Sequence, residues 1–388
     1  MFIGAGAEFT MRHTIIEAIA TGNPPLTRSQ AYAAAFMQRI ESIPEPLRKR
    51  IPQIYERSGI DFRFSCVEDY GRTAEEFEFF PPTWSMEPAP STAQRNAKYR
   101  EAAIPLAESV SKEALRLSGI EPDAVTHVIA VSCTGFFAPG LDIELVKRLG
   151  LSPSTKRTMV GFMGCYAAFN ALRVADSFCQ ADPYACVLVV CVELCTLHFQ
   201  IRDGLESAIV NGIFSDGAAA CVLTSKSPEE ASGRLAYVAN HALLDEDSMA
   251  DMTWDIGDTG FLMGLSSRVP DVLSRRLTPF LEGLLLPQGL NPEDVGFWAI
   301  HPGGRAIVEK AQEVLALEDE RVEDSLEVLR LHGNMSSPTI LFVLKRLLDR
   351  HESHRREGRE GYASGVALSF GPGLTLEGAL FKRVDAEP

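Results

Sequence analysis

The sequence predicts an α/β protein whose sheets are covered by helices on both faces. Short, continuous apolar runs recur along the chain, as in VTHVIAVSC (125–133), YACVLVVCVE (184–193) and GAAACVLTS (217–225). Segments with a helical spacing of apolar residues separate these runs. Strands that are apolar at nearly every position are typical of sheets buried on both faces.

The N-terminal half begins with a predicted helical region over 29–58, followed by a proline-rich loop at 81–90. A long helix is predicted from Ser91 to Leu117. After the first apolar run, LDIELVKRLGL predicts an amphipathic helix that ends at Gly150. Within GFMGCYAAFNALRVA, Cys165 lies directly before a further helix. The order of strands and helices therefore indicates alternating α/β units.

The C-terminal half repeats this order. A helix at 271–286 leads into the strand of VGFWAIHPGG, the helices of GGRAIVEKAQEVLAL and SPTILFVLKRLLD, and the strand pair of GVALSFGPGLTLEGALF. The charged stretch at 349–361 is predicted to be a solvated loop. A strand-and-helix set thus occurs twice, in roughly 100–225 and 235–388. We predict two halves, 1–230 and 231–388.

Composition and charge exclude several classes of protein. The 388 residues carry a net charge of -15, which argues against a general surface for nucleic acid or anionic membranes. No run approaches the ~20 apolar residues of a membrane span. The first ten residues, MFIGAGAEFT, have no basic region ahead of the apolar stretch, so no secretion signal is expected. Reduced cysteines within apolar runs indicate a cytoplasmic protein.

A metal site is not expected. Cys191, Cys195 and His198 have the residue types of zinc ligands. The run that contains the two cysteines is predicted to be a buried strand, however, and no second Cys/His pair completes a tetrahedral set.

Three residues form a candidate catalytic set, because each stands at the end of a predicted element. They are Cys165, His301 in AIHPGG, and Asn334 in LHGNMSSPTI. A helix N-terminus favours thiolate over thiol, which suits Cys165 as a nucleophile. Taken singly, the three could equally be a core cysteine, a hydrogen-bonded core histidine and a helix cap. Papain-like proteases share the order Cys, His, Asn, but their cysteine lies near the mature N-terminus of a disulfide-bearing secreted protein.

The chain closely resembles the type III polyketide synthases, the chalcone-synthase-like members of the thiolase fold. The resemblance rests on GFMGCYAAFNALRVA, NGIFSDGAAACVL, AIHPGGRAIVEK, HGNMSSPTILFVL and SFGPGLTLEGALF. It implies a duplicated, five-layered αβαβα fold and a homodimer. It also implies that Cys165, His301 and Asn334 are the catalytic triad.

The chemistry implied is an iterative decarboxylative condensation. A Cys165 thiolate, ion-paired with His301, takes an acyl group from a CoA thioester. Malonyl-CoA then loses CO2, and His301 and Asn334 hold the enolate oxygen as an oxyanion hole does. The carbanion attacks the acyl-cysteine. CoA thioesters are substrates in this scheme, and no bound cofactor is expected.

The resemblance assigns further residues around the triad. Phe214 and Phe261 match the two gatekeeper phenylalanines between the CoA tunnel and the cavity. Arg50 and Arg57 match cations that bind the CoA phosphates. Gly303 and Ala306 match positions against the pantetheine arm. Gln53 stands where a basic residue is expected, and Arg48 or Lys49 could compensate.

Five residues are expected to shape the cavity: Ala138, Cys195, His198, Met252 and Ser336. The first four depart from the plant pattern, and Ala138 stands where the plant enzymes carry a methionine that enters the partner subunit's cavity. ELCTLHFQ resembles microbial members that extend fatty acyl starters, so we expect a medium- or long-chain starter, two or three extensions, and an alkylresorcinol or alkylpyrone product. The alternatives are a β-ketoacyl-ACP synthase III-like enzyme with a single condensation and a non-catalytic acyl-binding scaffold.

Overall fold

The computed structural model describes residues 12–202 and 204–385, which form thirteen strands and twelve helices. The strands are β1 His13–Gly22, β2 Leu26–Ser29, β3 Phe62–Ser65, β4 His127–Ser132, β5 Lys156–Gly161, β6 Cys186–Leu194, β7 Asp216–Lys226, β8 Leu235–Leu244, β9 Met252–Gly257, β10 Gly260–Leu265, β11 Phe297–Ile300, β12 Ser364–Gly371 and β13 Thr375–Arg383. The helices are α1 Gln30–Arg39, α2 Glu45–Arg48, α3 Ile51–Arg57, α4 Thr92–Ser118, α5 Leu141–Leu149, α6 Ala167–Ala181, α7 Leu205–Ile213, α8 Pro228–Ala231, α9 Val269–Leu285, α10 Arg305–Leu315, α11 Glu323–His332 and α12 Thr339–Arg356.

The ends of the long helix α4 follow from local chemistry. Ser91 and Gln94 form a capping box that satisfies backbone N–H groups of the first turn. The helix stops at Gly119, whose φ of 68° lies in the left-handed region that glycine adopts without strain. Both ends agree with the prediction to within a residue.

The strands make one mixed sheet of nine in the order β11-β12-β13-β8-β1-β7-β6-β4-β5. Four strands of each part repeat the same arrangement, and β5 is the ninth strand, at one edge. Strand β4 is parallel to β6, which is antiparallel to β7, which is antiparallel to β1. The same directions hold for β11, β12, β13 and β8. Within the described residues, two ladder pairs join β1 of one part to β8 of the other, Thr14 with Tyr237 and Ile15 with Ala236.

Alternate residues of the strands face different cores, which defines five layers. In β6, Leu188 and Val190 pack in the core that contains α4, whereas Val187 and Val189 pack in the core that contains α6 and α12. That central core also takes residues from β8, β11, β12 and β13. A third core lies between the C-terminal strands and helices α9 and α10. The α-β-α-β-α order of the duplicated fold is thereby confirmed.

Two predictions of local structure need correction. The helical region at 29–58 consists of three helices, α1 to α3, because Pro44 and Pro52 each stand at the start of a new helix. The charged stretch at 349–361 is helical as far as Arg356, since it extends α12 and pairs Arg350 with Asp324. Only the part beyond that residue is a loop.

The chain crosses from the first set of strands to the second between Lys226 and Leu235. A division into halves at residue 230 stays a prediction. The expectation of no secretion signal falls on the first ten residues, which lie outside the described ranges. Among the helices of residues 12–202 and 204–385, none combines the length and the apolar character that crossing a membrane requires.

Candidate active site

The duplication places the starts of two equivalent helices, α6 and α12, in the central layer. Cys165 lies two residues before α6, and Asn334 and Ser336 lie shortly before α12. The Asn334 amide and the Ser336 hydroxyl both lie close enough to the Cys165 thiol to lower its pKa, against the larger effect of burial. Two residues separated by about half of the chain therefore meet because the two halves share one topology.

The turn before Cys165 requires glycine. Gly164 has a φ of 83°, and a Cβ there would lie 2.5 Å from Cδ of Pro372. The Ser369 hydroxyl donates to the Cys165 carbonyl at 3.1 Å. The thiol is thus held rigidly, with 7% of the residue exposed.

Asn334 is fixed on both its backbone and its side chain. Its backbone N–H donates to Ile213, and its carbonyl accepts from Ser215. The side-chain Nδ2 donates to the Gly303 carbonyl at 3.0 Å, and Oδ1 accepts from the Ser336 N–H at 2.8 Å. One N–H of the amide remains for another acceptor.

His301 directly follows β11, and its backbone N–H donates to Leu368. The residue is 1% exposed, yet neither ring nitrogen has a hydrogen-bond partner among the described residues. A Cβ on Gly303 would lie 3.6 Å from Cδ2 of the ring, so His301 and Asn334 approach each other at Gly303. Burying a ring nitrogen without a hydrogen-bond partner lowers the stability of the fold. Such nitrogens therefore indicate a group that receives a ligand or a proton.

Burial keeps both the thiol and the imidazole neutral in the substrate-free protein. It raises the pKa of Cys165 to about 11 and lowers the pKa of His301 to about 3. Burial of both groups therefore opposes the resting thiolate–imidazolium pair that the sequence predicts. Desolvation outweighs the helix N-terminus here, and a proton must leave the thiol as the reaction begins.

This electrostatic state predicts how the thiol reacts with iodoacetamide. Alkylation of Cys165 in the substrate-free protein should accelerate about tenfold per pH unit up to the limit of protein stability, because the thiolate fraction rises by that factor below the pKa. Peptide mass spectrometry at a series of pH values measures the rate. A rate that levels off below pH ~7 would indicate a resting thiolate instead.

Glu193 was not predicted as a site residue. It is fully buried at the end of β6, and burial raises its pKa. Its carboxyl group accepts from the Cys133 N–H, the Thr134 hydroxyl at 2.7 Å and the Ser337 hydroxyl at 2.7 Å. It therefore ties the loop after β4 to the start of α12. The sequence signal was a single acidic residue in the apolar run YACVLVVCVELC.

A cavity of about 270 Å³ opens onto the thiol. Of the residues that were predicted to form the site, Cys165, Phe214, Phe261, Cys195, His198 and Ser336 line it. The wall also includes a set of apolar residues that we call the apolar branch, Ala33, Phe36 and Met37 of α1 with Tyr70 and Phe199. Tyr32 of α1 lines the cavity as well and is 38% exposed.

One predicted cavity residue lies elsewhere. Met252 packs against Val269 and Leu374 in a small separate core, and Trp254, two residues further along the same strand, lines the cavity instead. Ala138 is exposed on the loop after β4, and its expected place in the cavity of a partner subunit stays a prediction.

The predicted CoA contacts are also outside the cavity wall. Arg50 and Arg57 are exposed at the two ends of α3. Arg48 donates to the carbonyls of Glu41 and Ile43, and Lys49 forms an exposed ion pair with Glu45. Their compensation for the cation missing at Gln53 stays a prediction. Gly303 and Ala306 follow His301 at the start of α10.

Arg63 is a cation in the cavity wall that the sequence did not indicate. It donates to the carbonyls of Asn211 and Phe214 at 2.7 and 3.0 Å. Phe214 in turn forms a parallel bridge with Asn334. Arg63 therefore positions Phe214 next to the candidate catalytic amide.

Comparison with known proteins agrees with this architecture. The family description "Chalcone and stilbene synthases, N-terminal domain" matches residues 7–227, and its C-terminal counterpart matches 236–385. The chain is 33% identical over 369 residues to "Alpha-pyrone synthesis polyketide synthase-like Pks18" of Mycobacterium tuberculosis. The matched region covers 95% of this chain and 90% of that protein.

Solved structures are similar over nearly the whole chain. PKS-I from the brown alga Ectocarpus siliculosus has a TM-score of 0.93 at 37% identity, covering 97% of this chain and 100% of that one. The C-terminal type III polyketide synthase domain of Steely1 from Dictyostelium has a TM-score of 0.84 at 25% identity, covering 96% and 99%.

Proposed function

The chain belongs to the chalcone and stilbene synthase family and is a type III polyketide synthase, an enzyme of the acyltransferase type, and from this premise we propose the reaction that it catalyses. Cys165 accepts an acyl group from acyl-CoA. Malonyl-CoA then extends the acyl chain by decarboxylative condensation, and the product cyclises. The observation that carries the proposal is that the Cys165 thiol faces the cavity with the Asn334 side chain close to it. Asn334 meets His301 at Gly303, and the His301 ring nitrogens have no partner among the described residues.

Loading begins with a proton transfer. The Cys165 thiol gives its proton to a ring nitrogen of His301, and Sγ attacks the thioester carbonyl of acyl-CoA. The bond from that carbonyl to the CoA sulfur breaks, and the CoA thiolate takes the proton from the imidazolium. Both protein groups return to neutral forms, which is the state that their burial favours.

Extension of the chain uses hydrogen-bond donors of Asn334 and His301 that have no acceptor within the described part of the protein. When malonyl-CoA loses CO2, the electron pair of the broken bond moves into an enolate at the thioester oxygen. The free N–H of Asn334 and a ring N–H of His301 donate to that oxygen. The enolate carbon attacks the acyl-cysteine carbonyl, and the Cys165 sulfur leaves as CoA carries the lengthened chain.

The apolar branch of the cavity supports a medium- or long-chain fatty acyl starter. Its wall is aromatic and aliphatic from Phe199 through Phe36 to Met37, and an alkyl tail buried there loses unfavourable contact with water. We propose an alkylresorcinol or alkylpyrone product after two or three extensions. The alpha-pyrone synthesis in the name of the M. tuberculosis relative favours the lactone.

The starter can be tested with a panel of CoA thioesters from acetyl to palmitoyl, incubated with malonyl-CoA and the purified enzyme. We expect liquid chromatography–mass spectrometry to show tri- or tetraketide products with alkyl tails, made fastest from C8–C16 starters. Preference for short or aromatic starters would contradict the fatty acyl proposal. Products of one condensation only would favour the ketoacyl synthase alternative.

A pair of variants on α1 makes the same assay specific for the apolar branch. Ala33 lines the branch, whereas Ala35 is exposed on the same helix. Ala33→Phe should suppress products from the longest starters and spare the short ones. Ala35→Phe, the matched control, should leave the starter profile unchanged. An identical profile in both variants would place the tail elsewhere.

We further propose that the enzyme works as a cytoplasmic homodimer, with CoA thioesters as its only small-molecule requirement. The eight cysteines are all free thiols, which suits a reducing compartment. Strand β5 is an edge of the sheet, and it and the turn after it expose Met159 and Met163. An exposed edge with apolar side chains is suited to pairing with a second copy of the chain.

A further inference from the structure

Tyr55 carries a buried hydroxyl group in the wall of the cavity. It lies on α3, is 1% exposed, and packs in the same core as Phe36 and Met37 of the apolar branch. The hydroxyl oxygen has no hydrogen-bond partner among the described residues. The ring is held in place, because a Cβ on Gly212 of α7 would lie only 3.0 Å from it. A buried polar group without a partner indicates a position that a ligand or a water molecule completes.

Arg63 provides a positive charge beside this hydroxyl. Its guanidinium group lies over the Tyr55 ring, with Cζ 5.4 Å from the ring centroid. Nε donates to Oε1 of Gln30 at 2.8 Å, and Nη1 donates to the carbonyls of Asn211 and Phe214. Nη2 has no acceptor in the described part of the chain. Because a guanidinium group only donates, this nitrogen remains available to an acceptor on a ligand.

Both groups are donors that lack an acceptor. Burial raises the pKa of the Tyr55 hydroxyl, and it outweighs the nearby Arg63 guanidinium, which acts in the opposite direction. The hydroxyl therefore keeps its proton at neutral pH and is able to donate it in a hydrogen bond. A carboxylate accepts several hydrogen bonds at once, so a single carboxylate satisfies the hydroxyl and Nη2 together.

A second arginine adds positive charge to this part of the wall. Arg28 of β2 pairs with Arg63 in the register of β2 and β3, and directly opposite residues of an antiparallel pair lie on the same face. Arg28 also lines the cavity, with Cζ 5.4 Å from the centroid of the Tyr32 ring. Neither arginine forms an ion pair within the described residues, which contribute one carboxylate to the wall, that of Glu206. In a protein with a net charge of -15, this local positive charge favours an anionic ligand.

The position differs from the one predicted for the CoA phosphates. Arg50 and Arg57 lie at the ends of α3 and are exposed, whereas Tyr55 is on the buried side of the same helix. The phosphates of CoA carry several charges and a bulky adenosine, and each buried charge would require a partner. A single carboxylate at the end of an alkyl chain needs only the donors found here. The buried donors therefore suit the far end of an acyl starter.

We propose that Tyr55 and Arg63 bind a carboxylate at the far end of the acyl starter, with Arg28 contributing positive charge. The inference deepens the proposed polyketide synthase function and rests on it for the identity of the ligand, the CoA monothioester of a dicarboxylic acid. The thioester of this starter reacts with Cys165, its methylene chain lies in the apolar branch, and its free carboxylate accepts the two hydrogen bonds. Binding of a carboxylate at this site requires no catalysis.

Calorimetric titration tests the site without any reaction. The probes are decanoate and decanol, which have chains of equal length and differ in charge. We expect the wild-type protein to bind decanoate at least about tenfold more tightly than decanol, the effect of one hydrogen bond to a charged group. Tyr55→Phe, which removes only the hydroxyl, should lower this ratio of affinities about tenfold, and Arg28→Met should lower it in the same direction.

Tyr237→Phe is the matched control, because the Tyr237 hydroxyl is also buried and unpartnered among the described residues but lies outside the cavity wall. Its ratio of affinities should equal that of the wild type. Equal binding of decanoate and decanol by the wild-type protein would overturn the proposal, and this comparison still decides the matter if Tyr55→Phe does not fold. Competition between CoA and decanoate that disappears in Tyr55→Phe would assign the site to a phosphate instead.

Product analysis extends the test to catalysis. Malonyl-CoA is combined with CoA monothioesters of C8–C16 dicarboxylic acids and with plain acyl-CoA of the same lengths. The ratio of kcat/KM, carboxylated over plain starter, should peak at one chain length, because the site lies at a fixed distance from Cys165. Tyr55→Phe should lower this peak about tenfold. A series without a peak would overturn the proposal. If the wild-type enzyme makes no polyketide from any starter, the proposed function fails, while the decanoate result still stands or falls by itself.

Discussion

Replacing Cys165 by alanine is expected to abolish polyketide formation while leaving the fold intact. The Cys165 thiol lies near the Asn334 amide and is the nucleophile of the proposed reaction, so the acyl-enzyme of that reaction cannot form without it. Product should fall by at least ~10⁴-fold, as it does when other enzymes lose a covalent nucleophile. Intact-protein mass spectrometry after incubation with acyl-CoA should show no adduct.

The control for this prediction is a thiol outside the cavity wall. Cys66 is half-buried, and Cys66→Ala should acquire one acyl group as the wild-type protein does. Circular dichroism and thermal unfolding should show the native fold in both variants. Product formation that survives in Cys165→Ala would refute the assignment of the nucleophile.

Replacing Asn334 by aspartate is expected to separate loading from decarboxylation. The side chain keeps its shape, but it loses the N–H that donates to Gly303 and the second N–H that we assign to the enolate. A negative charge would in addition repel the developing oxyanion. Removing one such donor typically lowers kcat by ~10²–10³-fold, so decarboxylation of malonyl-CoA should fall by at least that factor.

Two measurements on this variant keep the conclusion specific. Release of labelled CO2 from malonyl-CoA reports decarboxylation, and the acyl adduct on Cys165 reports loading. Loading should proceed at close to the wild-type extent, because the nucleophile and His301 are unchanged. Decarboxylation at the wild-type rate would remove Asn334 from the oxyanion hole, and loss of both activities would point to a disrupted site.

The amino-acid sequence by itself determined the class of fold and the positions of the candidate triad. Continuous apolar runs require a sheet covered on both faces, and their order with the helices predicted the duplication that the strand order confirms. The stretch GFMGCYAAFNALRVA placed Cys165 directly before a helix, and AIHPGG and LHGNMSSPTI placed His301 and Asn334 at the ends of elements. These signals are local, because each of them lies within a short stretch of consecutive residues.

Only the tertiary structure determined the protonation states of Cys165 and His301 and the contacts that hold the site residues in place. Desolvation of Cys165 and His301 comes from neighbours far away in the chain, so local sequence suggested a thiolate where burial keeps a thiol. The hydrogen bonds of Arg63 and Glu193 likewise join distant segments. Tyr55 was not among the expected cavity residues, and its place beside Arg63 depends on contacts between α3 and β3 that no local pattern encodes.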